Sequence, residues 1–247
     1  MTPRTAVLVT RRSGSRRASD IAAEIDARLR SLPVKDTPRV RAIRLAWSYT
    51  LRQAPGRFVL SVARTLCTRY GYRYLPYELI ASHPGAYRLL TEARLEALGR
   101  GLDSWMAADT FARTLAGPAW RDGWIADSVI LKWARSPDRW WRRAALVSTV
   151  ALNVRSRGGR GDVRRTLRVC RRLADDHDDM VEKALSWALR ELVVHDRRAV
   201  EAFLQANEER LGSRVRREVG NKLRTGLKTP RPATRRCQAP HPCEDSR

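Results

Sequence analysis

Long apolar runs are missing from this chain of 247 residues. None approaches the roughly 20 residues that cross a bilayer, and "AVLV" in "MTPRTAVLVTRRSGSRRASD" is too short for a secretory signal core. A soluble, cytoplasmic protein is the expectation. Cysteine is scarce as well. The four, at positions 67, 170, 237 and 243, form no CxxC pair, so a disulfide framework has no support and reduced thiols are expected. "CQAPHPC" offers Cys237, His241 and Cys243 to a metal, one ligand short of a closed zinc site, and no metal is assigned. Strand-like alternation is also hard to find.

Acidic residues are few against the basic ones, 26 to 49, for a net charge of +23. Basic tails alone do not account for this: the first twenty residues carry +4 and the last twenty +3, leaving +16 on residues 21–227. A body this cationic attracts a polyanion at long range and neutralises phosphates at contact, which makes nucleic acid the leading partner. An anionic membrane surface or an acidic protein would draw on the same charge. Residues 1–19 read as a disordered basic arm, 20–227 as one folded domain with enough apolar residues for a substantial core, and 228–247 as a disordered tail.

Between its punctuators the chain repeats the i, i+3, i+4, i+7 pattern of amphipathic helices. The pattern predicts helices over 20–32, 38–52, 57–70, 86–99, 103–115, 122–135, 138–153, 162–175, 178–194, 197–207 and 210–226. Stops such as "QAPG", "SHPG", "AGPAW" and "RSRGGRGD" separate them. "RRAALVSTVAL" from Arg142 aligns with "EKALSWALREL" from Glu182 at an offset of 40 residues, the length of a HEAT-type helix pair. The expected fold is an all-α, HEAT-like helical-repeat solenoid whose inner helices line a concave basic groove.

Five side chains stand out. Trp105 and Asp109 sit four apart in "DSWMAADTFA" and share a helix face, which puts a carboxylate on a cationic surface. Trp187 lies off the apolar stripe of its helix, beside Lys183 and Arg190, where it is displayed to a ligand unless a neighbouring helix covers it. Arg142 and Arg143 stand where their helix goes under the surface, placed either for an ion pair or for a phosphate. DNA seldom presents positive charge, but a purine alkylated at N3 or N7 is cationic. Its loss leaves an oxocarbenium-like sugar that a carboxylate stabilises and an aromatic face favours.

The ordered blocks "TPRVRAIRLAW", "SWMAADTFA", "WARSPDRWWRRAALVSTVAL", "VEKALSWALREL" and "SRVRREVGNKL" resemble the AlkD-like DNA alkylation repair family, HEAT-repeat DNA glycosylases, over roughly residues 35–226. The resemblance implies a DNA glycosylase of base excision repair that acts on N3- and N7-alkylated purines in duplex DNA without flipping the base. Asp109 would be the catalytic carboxylate, with Trp105 and Trp187 flanking the lesion and Arg143 holding the backbone nearby. Arg142, Lys183 and Arg190 join Arg143 as expected DNA-binding cations, no cofactor is called for, and a nucleoid-associated monomer is expected. The block's acidic residue after the tryptophan is Met106 here, and Ile25 stands where some members carry an aromatic. Two other classes compete: a non-catalytic HEAT-type protein that binds distorted or branched DNA through charge and shape, and a protein-binding scaffold.

Overall fold

The computed structural model describes residues 16–230, which form helices and turns with no strand among them. The helices are α1 (Ala18–Arg30), α2 (Thr37–Leu51), α3 (Gly56–Tyr70), α4 (Tyr74–Ala81), α5 (Pro84–Tyr87), α6 (Glu92–Gly99) and α7 (Trp105–Phe111). They continue with α8 (Gly117–Arg121), α9 (Asp127–Trp133), α10 (Arg139–Asn153), α11 (Val163–Arg172), α12 (Asp179–Leu192), α13 (Arg197–Ala206) and α14 (Ser213–Thr225). Cys237, His241 and Cys243 lie outside the described residues. Within those residues no group of His, Cys, Asp and Glu is placed to hold a metal, and no helix is long and apolar enough to cross a membrane.

Packing follows chain order. α1 rests on α3, α3 on α4, α4 on α7, α7 on α10, α10 on α12 and α12 on α14, while α2, α11 and α13 attach to the flanks of this series. A fold in which each layer meets only its neighbours is a helical-repeat solenoid, and the two segments offset by 40 residues are its adjacent α10 and α12. Local chemistry sets many starts. Asp36, Thr91, Ser104, Asp138, Asp162, Asp178 and Asp196 each accept a backbone N–H of the turn that follows, satisfying a donor the helix leaves free.

Three helix predictions need correction. The helix expected over 86–99 is split, because Thr91 turns extended and caps a fresh start at Glu92. α4 was not foreseen: Leu75, Pro76, Tyr77, Leu79 and Ile80 are all buried, so "YLPYELIA" has no polar face to mark a period. The segment expected over 122–135 shrinks to α9, its first residues forming a turn in which Trp124 N–H returns to Ala119 C=O.

"AGPAW" is not a stop. α7 runs through a π-turn over Ala112–Ala116 into α8, and Gly117 N–H reaches Ala112 C=O, five residues back. A proline inside an α-helix collides with the carbonyl four residues before it. The wider turn ahead of Pro118 relieves that collision, so the chain continues where its sequence reads as broken. Gly117 is required here for a second reason: a Cβ would stand 2.7 Å from both Ala151 Cβ and Ser148 O of α10. Gly117→Ala is therefore expected to lower stability by about 1–3 kcal/mol through overpacking, read as a drop in thermal midpoint.

Candidate functional site

Ser104 starts α7 by accepting Ala107 N–H at 3.3 Å. That start fixes which face each following residue takes. Ala107, Ala108 and Phe111 go inward, and the Phe111 ring meets Tyr77, Trp133 and Trp141 at centroid distances of 5.7, 5.8 and 5.8 Å. The same aromatic cluster buries Trp133 and packs the half-buried Trp141 against the core. Trp105 and Met106 are left outward, 54% and 62% exposed. Asp109 lies between the two groups, on the rim of the concave face.

The carboxylate of Asp109 is clasped from below by Arg143 on α10. Arg143 Nε donates to Oδ1 and Nη2 to Oδ2, both at 2.8 Å, and Nη1 donates to the carbonyl of Met180 on α12. One guanidinium thus ties three successive layers and fixes the plane of the carboxylate, the geometry in which an arginine fork is strongest. Arg143 is 5% exposed, whereas the second lone pair of each Asp109 oxygen is free of the clasp and the residue lines the cavity.

That cavity, about 370 Å³, is bounded by Tyr74, Trp105, Asp109, Arg113, Arg157 and Trp187. The two tryptophans and the carboxylate singled out in the sequence therefore meet at one opening. Trp187 is half-buried rather than freely displayed: it packs against the core, its Nε1 donates to Glu191 at 2.9 Å, and the Arg113 guanidinium stands 5.4 Å from its ring centroid. Two further cavities adjoin this one. One of about 350 Å³ shares Tyr74, Met106 and Thr110 with it, and one of about 450 Å³ shares Glu78, Arg113, Thr114 and Arg157. Together they make a trough across α4, α7, α8 and the turn at Arg155–Arg157.

Each of the four expected DNA-binding cations has a carboxylate partner in the structure. Arg143 is sealed under Asp109 and has no surface from which to reach a phosphate. Arg142 donates to Asp176 at 2.6 Å and to the carbonyls of Ser136 and Pro137, Lys183 pairs with Asp179 at 2.6 Å, and Arg190 leans on Ser186 and Glu218. Burial pushes the Arg190 pKa down, against the pull of Glu218 and Glu191. Of the alternatives the sequence left open for Arg142 and Arg143, the ion pair holds for both.

The groove-lining cations are instead Arg113 and Arg157, which the sequence reading passed over. Arg113 stands one helical turn after Asp109, so its place on that face was legible as an i, i+4 partner. Burial is the main cause that lowers the Arg113 pKa; the charge of Arg157 adds to it, and Asp109 and Glu191 oppose. Ile25, at the position where an aromatic was sought, is fully buried in the core and takes no part in the trough.

No curated protein and no solved structure matches the chain. The family model described as DNA alkylation repair enzyme matches residues 61–223, a span from α3 to α14 that includes Trp105, Asp109, Arg143 and Trp187. With that match covering most of its length, on an all-helical solenoid whose trough holds a clasped carboxylate between two tryptophans, the chain belongs to the DNA alkylation repair enzyme family.

Proposed function

We propose that the protein is a DNA glycosylase that releases N3- and N7-alkylated purines from duplex DNA, opening base excision repair without metal or redox cofactor. The observation that carries this reading is the Arg143-clasped Asp109 set between Trp105 and Trp187 at an open cavity. An alkylated purine departs as a neutral base, taking the electron pair of its glycosidic bond and leaving positive charge on the sugar. The free lone pairs of Asp109 face that charge or hold the water whose oxygen bonds to the sugar carbon and whose proton is lost. The clasp removes the need to reorient the carboxylate during the step, which is the advantage of a preorganised site. Trp105 and Trp187 offer ring faces that favour a cation. A trough open along its length, rather than a closed pocket, suits a base that stays in the duplex. The partner is duplex DNA carrying alkylated bases, bound by a monomer in the cytoplasm beside the chromosome.

A second reading, DNA binding without excision, draws on the same clasp, since Arg143 partly cancels the field of Asp109 at a cation. One experiment separates the two. Incubating the purified protein with duplex DNA methylated at purine N3 and N7 should yield free base and alkali-labile abasic sites. Absence of released base across methylated and bulkier adducts, with binding to distorted duplex retained, would replace the glycosylase by the binding protein.

A further inference from the structure

Arg121, Arg142, Arg143 and Arg165 each hold a carboxylate of their own. Arg113 has none within ion-pairing reach among the described residues, although it is half-buried in the trough wall and its Nε is sealed from solvent without a hydrogen-bond partner. A desolvated guanidinium with an unused donor is unfavourable unless something supplies an acceptor. Arg157 faces the same two cavities, exposed, at the end of the 3₁₀ turn Arg155–Arg157, and its carbonyl is held by Arg121 Nη1, which fixes where its side chain begins. No carboxylate among the described residues pairs with it. The two like charges sense one another, since Arg157 lowers the Arg113 pKa.

These cations also oppose the chemistry proposed above, on which this inference rests. Both line the opening into which a cationic base must come, and each repels it. We propose that Arg113 and Arg157 form a phosphate subsite: together they take one phosphodiester flanking the alkylated nucleotide, and its charge cancels one of theirs, so that Asp109 meets the cation in a site that repels it less. Arg113 supplies a planar fork suited to two phosphate oxygens, and Arg157 adds a second cation from the 3₁₀ turn that borders the same cavities. The DNA would then complete the electrostatics of the site that cleaves it.

The test uses short duplexes with a tetrahydrofuran abasic analogue at a fixed position and one uncharged methylphosphonate linkage moved along the strand, bound by the parent, Arg113→Gln and Arg157→Gln. At one linkage flanking the analogue, neutralisation should weaken the parent about tenfold and the two variants little further. The slope of log affinity against log salt should be shallower in each variant by up to about 0.9, the share of the one phosphate the two arginines hold. In single-turnover release of 7-methylguanine, the same neutral linkage should slow the parent, and Arg113→Gln on that duplex should recover part of the lost rate, because one of the two uncompensated cations is then gone. Neutral linkages that weaken variants and parent alike at every position, or glutamine variants with the parent's affinity and salt slope, would overturn the subsite. If Arg113→Gln melts early, Arg157→Gln decides, its side chain being exposed. A parent that binds but releases no base overturns the glycosylase alone, and the affinity measurement still decides the subsite.

Discussion

Asp109→Asn is expected to slow release of N3- and N7-methylpurines by at least about 10²-fold under single-turnover conditions, the scale of losing one preorganised electrostatic stabiliser. Binding to undamaged duplex should be kept or strengthened, because a carboxylate on a phosphate-binding wall repels the backbone. The substitution also touches the fold. Asn keeps one acceptor for the Arg143 fork but removes the charge that compensates a guanidinium sealed in the interior, so a lower thermal midpoint is expected alongside the lost rate. Asp109→Asn combined with Arg143→Met removes both charges and separates these effects: the midpoint should rise back toward the parent while excision stays lost. Full excision by Asp109→Asn would take the carboxylate out of the mechanism.

Arg143→Met alone should give the largest change in stability of any single substitution considered, a loss of about 3–5 kcal/mol in chemical denaturation, since it strands the carboxylate of Asp109 in a half-closed wall and frees the carbonyl of Met180. It should also remove excision, because nothing else bonds both oxygens of Asp109 among the described residues. A variant with native stability and activity would show that the clasp neither holds the layers nor orients the carboxylate.

Some of this was legible from residue order. Trp105 and Asp109 share a face because α-helical spacing puts them there, and the angle of Trp187 from its apolar stripe put it toward a ligand, where it does line the opening although it is half-buried. The partner of Arg143 was not legible: Asp109 lies 34 residues away, and only the stacking of α7 on α10 turns that separation into a fork with two bonds. Lys183 and Arg190 read as free cations because their acids, Asp179 one turn back and Glu218 on the next layer, compete for them through geometry that charge counting ignores. α4 escaped notice because burial on most sides erases the period by which helices are read. Pro118 misled for the opposite reason, since its local rule is sound and a wider turn upstream circumvents it.

That wider turn also has a consequence for phase. A π-turn contains one residue more than an α-turn would, so everything after it is rotated by ~100° relative to an unbroken helix. Asp109, Arg113, Pro118 and Arg121 all border the trough, yet in a regular helix the nine residues from Asp109 to Pro118 would set them ~180° apart. The slip of one residue brings the second half of the helix back into step with the first. The wall is continuous because the π-turn absorbs one extra residue, and a chain shortened by a single residue between Ala112 and Ala116 would keep Pro118 and Arg121 toward the groove as a regular helix while restoring the collision of Pro118 with the carbonyl four residues before it.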